Sequence, residues 1–343
     1  MDTDTIPVTG VDALEKHLDD LLQDPNLPLT VKLFDDVELQ LTDANTPPLI
    51  PLLLPKLTDV LKTYQQDPST LCSLAIKLLR PLTLTQVLSL ASEDALIQAL
   101  RSPAPSANLL AMAVLEKAAH SPADAAILAM MKNLVAHFVA QWLSAPQVEV
   151  GEKGSKVLGD LLDVDCDTRP PGGLPSVNGG LEIAVRRPPG QGLMWRGEGQ
   201  QRLSDQQRTL AQGRLLRVLP RLAALNLSAV ARTEFTDLNQ RYVGIDDDSG
   251  LLRFAALHMI DYDDMLMRLN LVDFFETFLS TQRVTPFSTY KMETLRKLVR
   301  DAITSSNGGG DALKNALLGL PERTVPEEAD DLRRFIRDVV GSS

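Results

Sequence analysis

The amino-acid sequence of 343 residues predicts an all-α fold made of stacked helical repeats. One pattern occurs three times: a break near a proline is followed by a helix in which a small residue precedes an apolar pair by three and four positions. The breaks lie at Asp67, Pro103 and Pro146, at offsets of 36 and 43 residues. In this register the small residues and the apolar pairs coincide: Ala75 with Leu78 and Leu79, Ala111 with Val114 and Leu115, and Gly154 with Val157 and Leu158.

Each repeat is predicted to be a helix, a short loop and a second helix, because apolar residues also recur upstream of each break. Repeats of roughly 40 residues built this way are typical of HEAT and armadillo proteins. One such pair cannot bury its apolar face alone, so neighbouring pairs stack, and the resulting surface usually binds another macromolecule. We therefore expect an armadillo/HEAT-like helical repeat solenoid with one Pro/Gly-rich insertion.

The remaining elements are predicted from apolar periodicity and from the positions of Pro and Gly. Residues 11–23 carry apolar side chains at helical spacing and are expected to form a helix that caps the solenoid. Val37, Leu39 and Leu41 alternate with polar residues, which predicts either a short extended segment or a loop. Four segments are expected: N-terminal helical repeats at 1–166, a Pro/Gly-rich loop or insertion at 167–203, C-terminal helical repeats at 204–304, and a flexible joint plus a terminal amphipathic helix at 305–343.

The charge balance indicates which partners to expect. Forty-five acidic residues against 34 basic residues give a net charge of −11. Binding to duplex nucleic acid depends on neutralising phosphates with basic residues, so this balance argues against direct nucleic-acid contact. A basic or mixed-charge protein is the expected partner.

Cysteine usage and the N-terminus predict the compartment. Cys72 and Cys166 are the only cysteines, which are too few for a disulfide framework and point to a reducing compartment. Met1 to Asp4 are acidic and polar, unlike a secretory signal. The most apolar stretch ends at Pro55, which excludes a membrane span there. The expected location is the cytoplasm, with the nucleus as a second compartment.

Two acidic clusters raise the question of a metal site. Asp163, Asp165 and Asp167 alternate as in a calcium loop, but the glycine and the final glutamate of that loop are missing. Exposed carboxylates at a helix C-terminus are the preferred interpretation. Asp246–Asp248 is interpreted as part of a helix N-terminus, where Asp248 or Ser249 caps a helix beginning near Leu251.

No catalytic motif is recognisable. Gly151–Lys156 lacks the residue order of a phosphate loop and lies within a predicted helix. The four histidines show no metal-ligand spacing, and no nucleophile elbow is present. We therefore predict a protein that is not an enzyme and has neither a cofactor nor a metal site.

Four stretches carry a family resemblance: Ser69–Leu79, Pro189–Arg196, Leu210–Leu222 and Leu271–Glu276. They resemble the fungal branch of the proteasome non-ATPase regulatory subunit 5 family, whose fungal members often also carry a DNA mismatch-repair name. The resemblance covers about residues 1–300. It departs from the family pattern after Arg196, where Gly197–Gly199 leads straight to the next helix instead of a further helical stretch.

The resemblance implies an armadillo/HEAT-type chaperone that assembles the base of the 26S proteasome regulatory particle. Such a protein grips the C-terminal domain of an AAA ATPase subunit and leaves before the mature proteasome forms. The second helix of each pair is expected to line the partner-binding face. From helix phase, we expect four polar residues of these helices to face the partner: Lys77, Asn108, Lys153 and Lys156.

The alternative is a generic armadillo/HEAT protein-interaction adaptor in signalling, transport or DNA repair, because fold alone does not fix function. In both cases we expect a protein partner, no membrane and no direct nucleic-acid contact. The free chain is expected to be a monomer.

Overall fold

The computed structural model describes residues 7–165, 204–233, 250–305 and 310–341. Across these ranges the protein is mostly helical and contains no strand, which confirms the predicted all-α class. The predicted insertion at 167–203 and the Asp246–Asp248 cluster lie outside the described residues. The described residues divide into two compact units, one of 7–141 with 147–165 and the other of 142–146 with the remaining ranges. The division into four segments stays a prediction.

The first unit is built from helices α1 to α10, of which α9 shares its last residues with the second unit. Two short 3₁₀ helices, Pro47–Leu49 and Lys117–His120, join them. The helices are α1 (Val11–Gln23), α2 (Val31–Gln40), α3 (Ile50–Thr63), α4 (Ser69–Leu79), α5 (Leu84–Leu90), α6 (Glu93–Arg101), α7 (Pro105–Glu116), α8 (Pro122–Met130), α9 (Lys132–Ser144) and α10 (Val148–Asp165).

Prolines and hydroxyl caps set where these helices begin. Pro105 and Pro122 occupy the first position of α7 and α8, where the missing N–H group costs no hydrogen bond. Thr83 forms a reciprocal capping box with Gln86 at the start of α5, and Ser92 caps α6. The breaks predicted at Asp67, Pro103 and Pro146 are observed between helices.

The segment predicted as a short strand or a loop is helical, so that prediction is wrong. Phe34, Val37 and Leu41 are buried, and their spacing of three and four residues places them on one face of α2 and its C-terminus. Leu39 is 80% exposed. The apparent alternation arose because this exposed leucine lies between two core residues, and helical burial decides the local structure.

The second helix of each predicted pair packs on the next one in sequence order. Helix α4 contacts α2 and α7, and α7 contacts α10. The small residues aligned in the sequence, Ala75, Ala111 and Gly154, are all buried in these helices. All six members of the aligned apolar pairs are buried as well. The repeated pattern therefore marks the core-facing side of α4, α7 and α10.

Seven helices, α11 to α17, occupy the described part of the second unit. Helix α13 begins as one α-helical turn and continues as a π-helical turn over Phe254–His258. A 3₁₀ helix at Leu320–Arg323 precedes the last helix. The helices are α11 (Asp205–Leu225), α12 (Leu227–Ala231), α13 (Leu251–Arg253), α14 (Met265–Val284), α15 (Thr289–Ser305), α16 (Gly310–Gly319) and α17 (Pro326–Val340).

The core of the second unit forms around α14, which packs against α11, α16 and α17. Phe274, Phe275 and Phe278 are buried on its inner side, and the rings of Phe274 and Phe278 stack with centroids 5.3 Å apart. The predicted terminal amphipathic helix is observed as α17, with Leu332, Ile336 and Val339 buried, although Phe335 remains partly accessible.

Helix α16 was not expected from the sequence, which suggested a flexible joint up to Gly310. Residues 306–309 of that joint lie outside the described residues, and Gly310 is the first residue of α16. A Cβ atom at Gly310 would lie 2.0 Å from the carbonyl oxygen of Ile303. The glycine is therefore needed for the close approach of α16 to α15.

Within the described residues, no single helix is both long and apolar enough to cross a membrane. Helices α8 and α9 reach the required length and composition only when they are taken together, and they are bent by 92° at the break between them.

Replacing Phe278 with alanine should lower the free energy of unfolding by about 3–5 kcal/mol, because a fully buried ring is lost and a cavity remains. The matched control is Phe287→Ala: this ring is 79% exposed, and its loss should cost less than about 0.5 kcal/mol. Urea denaturation followed by circular dichroism measures both. Equal effects of the two substitutions would contradict the described core.

Candidate functional site

The four residues predicted to face a partner make contacts within the first unit. Lys77 reaches from α4 to α2, where its Nζ donates a hydrogen bond of 2.5 Å to the carbonyl oxygen of Glu38. Ser73, one turn earlier, donates to the Glu38 carboxylate at 2.9 Å. Lys77 therefore ties α4 to the last turn of α2, where the Glu38 carbonyl oxygen also accepts a hydrogen bond of 3.2 Å from the N–H of Leu41.

Asn108 is in the interior, at 1% exposure, and cannot line a partner surface. Its Nδ2 lies 3.0 Å from each of three carbonyl oxygens at the end of α6, those of Ala99, Leu100 and Ser102. Its Oδ1 accepts a hydrogen bond of 3.0 Å from Gln141 of α9. The predicted partner-facing role of Asn108 is corrected accordingly: the residue closes the C-terminus of α6 and links it to α7 and α9.

Lys153 and Lys156 of α10 come together on Glu116, the last residue of α7. Each Nζ lies 2.5 Å from one oxygen of the Glu116 carboxylate. Lys156 also pairs with Asp160 at 2.8 Å, and its side chain is 60% exposed. Burial by itself raises the pKa of Glu116, but the hydrogen bonds from Lys153 and Lys156 outweigh it, so this pKa lies below its ordinary value. The hydrogen bonds to Asp160 and Glu116 shift the pKa of Lys156 upward.

Similar ties recur along the first unit at nearly constant sequence separation. Lys56 of α3 binds Glu15 and Asp19 of α1, which are 41 and 37 residues earlier. Lys77 binds Glu38, 39 residues earlier, and Lys117 donates to the carbonyl oxygen of Arg80, 37 residues earlier. The pairs of Glu116 with Lys153 and Lys156 span 37 and 40 residues. This spacing matches the period of the sequence pattern.

A groove opens at the other end of the same helices. The turns before α4 and α7 and the first turn of α10 line it, and its volume is about 700 Å³. Its walls carry Pro68, Pro103, Pro105 and Leu109. The sequence pattern aligns these breaks but does not predict that they line one groove. The proline-bearing turns of the repeats were the signal that could have found it.

Two carboxylates line this groove, one just before α4 and one in the first turn of α10. Asp67 precedes α4, where its Oδ1 accepts hydrogen bonds from the N–H and the hydroxyl group of Ser69, at 3.0 and 2.5 Å. Glu149 is exposed in the first turn of α10. None of the described residues that line the groove is basic. The groove is therefore apolar in its walls and negative in its charge.

The polar groups behind the groove are poorly suited to nucleophilic catalysis. Burial is the main cause that raises the pKa of the Cys72 thiol to about 11, so the thiol is protonated at neutral pH. The Ser106 hydroxyl is shielded from solvent and has the Cys72 thiol beside it, but no base hydrogen-bonds to it within the described residues. An activated nucleophile needs such a base.

The other residues considered for chemistry make packing contacts and hydrogen bonds or lie within a helix. His17 accepts a hydrogen bond from the N–H of Thr30 at 3.1 Å and packs its ring against Phe34. Gly151–Lys156 belongs to α10, as predicted. The described residues contain no group of three or more His, Cys, Asp or Glu side chains placed to hold a metal ion.

Comparison with known proteins adds no relative: no family model matches the sequence, and neither a curated protein nor a solved structure is significantly similar to it.

Replacing Glu116 with glutamine should lower the free energy of unfolding by about 1 kcal/mol at pH 7, because partly buried Lys153 and exposed Lys156 both lose the negative charge that they bind. The folded-state pKa of Glu116 is below its unfolded value, so its stabilisation is full above about pH 5 and disappears as the pH falls through the folded-state pKa. Urea titrations of wild type and variant at pH 7 and near pH 3 should converge at the lower pH. The control Asp35→Asn, at an exposed carboxylate on α2, should show no such convergence.

Replacing Asn108 with alanine should cost about 2–3 kcal/mol, since the carbonyl groups at the end of α6 lose a buried donor. Asn108→Asp should cost at least as much, because an acceptor then replaces the donor. Denaturation curves measure both effects. A loss below about 0.5 kcal/mol would contradict the role of Asn108 in closing the C-terminus of α6.

Proposed function

We propose that this chain is a non-enzymatic scaffold whose first unit is an armadillo/HEAT-like helical repeat, and that it binds a protein partner. The observation that carries the proposal is the set of interhelical ties at separations of 37 to 41 residues. Ties at a fixed period are what a stack of similar helix pairs requires, because each pair contacts its neighbours in the same way.

The burial pattern supports the same proposal. Ala75, Ala111 and Gly154 occupy equivalent buried positions in α4, α7 and α10, and each is followed by a buried apolar pair. Small residues at such positions allow helices to approach closely. Stacked repeats present long surfaces made from successive elements, and these surfaces usually bind macromolecules.

The partner we propose is the C-terminal domain of an AAA ATPase subunit of the 26S proteasome base, bound during assembly of the regulatory particle. This part of the proposal rests on the family resemblance of four stretches of the sequence. The net charge of −11 suits a basic or mixed-charge protein surface and opposes binding to nucleic acid. Of the four predicted partner residues, Lys156 reaches the surface best, and it is the one we retain for partner contact.

The environment of the polar groups supports a scaffold over an enzyme. Enzyme sites bring a nucleophile, a base and an orienting group together in one pocket. In the groove described here, Asp67 already accepts two hydrogen bonds from Ser69, and the Cys72 thiol has a raised pKa.

A tagged form of the chain should recover free ATPase subunits of the proteasome base from a cell lysate, without subunits of the core particle. Mass spectrometry of the bound proteins at moderate salt, without crosslinker, measures this, and the tag alone is the control. An interaction with one purified ATPase C-terminal domain at a 1:1 ratio would then identify the subunit. Recovery of unrelated proteins without any ATPase would favour the adaptor alternative.

A further inference from the structure

The groove at the starts of α4, α7 and α10 has a shape that suits an extended chain better than a compact ligand. It runs across three helices in sequence order, because residues from all three helix starts line it. Packed helices lie about 8–10 Å apart, so the outer two are roughly 16–20 Å apart. An extended segment rises about 3.3 Å per residue and covers this distance with about six residues.

The charges lie at the two ends of this path. Asp67 belongs to the first helix start and Glu149 to the third, while the middle start contributes prolines and Ala104. Both hydrogen bonds from Ser69 go to Oδ1 of Asp67, so Oδ2 takes no part in them. Glu149 is exposed and makes no ion pair with any residue in the described ranges. A ligand with one positive charge at each end would pair with both carboxylates.

The middle of the path offers apolar contact and a backbone donor. Pro103, Pro105 and Leu109 form the wall there. Helix α7 has Ala104 at its N-cap position, and no side chain caps it. The N–H of Ser106 in the first turn has no intrahelical acceptor, because first-turn N–H groups point out of the helix. A carbonyl group of an extended segment can accept that hydrogen bond.

We infer that this groove binds an extended segment of the partner protein that carries two arginine or lysine residues about six positions apart, with small or apolar residues between them. The inference deepens the proposed scaffold function and rests on it, since it names the chemistry of the segment that the scaffold holds. Nucleic acid and acidic peptides are the wrong charge for this site.

An array of synthetic peptides tests the inference with defined probes. Each peptide has two arginines in the same background of Ala, Gly, Pro and Leu, and the arginine spacing varies below and above six. A second set replaces the arginines with glutamine. The full chain is applied as wild type, as Asp67→Asn/Glu149→Gln, and as Asp35→Asn/Asp36→Asn, which removes the same charge from exposed positions on α2 outside the groove.

Wild type and the α2 control should bind the peptides with spacing near six about tenfold more strongly than the glutamine peptides. The groove variant should lose this preference. Asp67→Asn keeps an oxygen that can accept the hydrogen bonds from Ser69, and circular dichroism melting checks that the variant is folded. The inference is overturned if binding is independent of spacing, or if the groove variant binds like wild type.

One further peptide tests whether the groove is occupied by a partner segment or by a segment of this chain. Residues 196–202 of this protein begin and end with arginine, six positions apart. If this peptide binds the groove more tightly than every other peptide with the same arginine spacing, the chain's own segment is the occupant and the inference of a partner segment falls. Selective binding of the array with no ATPase in the lysate experiment would leave the groove standing and remove only the proteasome assignment. If the lysate experiment recovers an ATPase but the array shows no selective binding, the groove inference is overturned and the ATPase binds another surface.

Discussion

The carbonyl groups in the last turn of each helix are the constraint on which much of this fold depends. Such groups have no partner inside their own helix, and they are often satisfied by a glycine in the left-handed conformation. Among the described glycines, only Gly10 has a positive φ, and it lies at the start of α1. Side chains from neighbouring helices bind several of these carbonyl groups, in addition to backbone N–H groups such as those of Leu41 and Ser102. Lys77 binds the end of α2, Asn108 the end of α6, and Lys117 the end of α4. Capping and helix packing are therefore the same interaction.

In the second unit, buried cationic side chains donate hydrogen bonds to the carbonyl groups at helix C-termini. Arg214 is buried in α11, and its Nη1 donates to the carbonyl oxygens of Trp142 and Ala145 at 2.8 and 2.7 Å. Lys291 of α15 donates to the carbonyl oxygens of Gln282 and Thr285 at the end of α14, both at 2.9 Å. Burial lowers the pKa of Lys291, and it does the same at Lys117, because carbonyl dipoles replace only part of the lost water. These cations are costly to bury, which is why each one is aimed at a helix end where the negative end of the helix dipole lies.

The sequence predicted the helical class, the helix starts near prolines and the buried positions of Ala75, Ala111 and Gly154, because each depends on local chemistry or on period. It could not predict the contacts of Lys77 and Asn108. Helix phase tells which way a Cβ atom points, whereas a long or amide-bearing side chain reaches along a neighbouring helix to a carbonyl group that only packing places there. The helical state of residues 31–40 was missed for a related reason: exposed Leu39 imitates alternation, and burial of Phe34 and Val37 is visible only once α1 and α4 are in place.

The same arrangement that stabilises the first unit also determines the charge of its groove. Basic side chains such as Lys77 and Lys117 are directed to helix C-termini, where the dipole favours them. They donate hydrogen bonds to carbonyl groups inside the unit. Acidic groups such as Asp67 and Glu149 lie at helix N-termini, where the dipole favours them too, and none of the described residues that line the groove is a basic residue that could neutralise them. Two of the three helix starts at the groove therefore place a carboxylate along this edge. In the scaffold that we propose, this edge would select basic segments without any residue being placed there for binding alone.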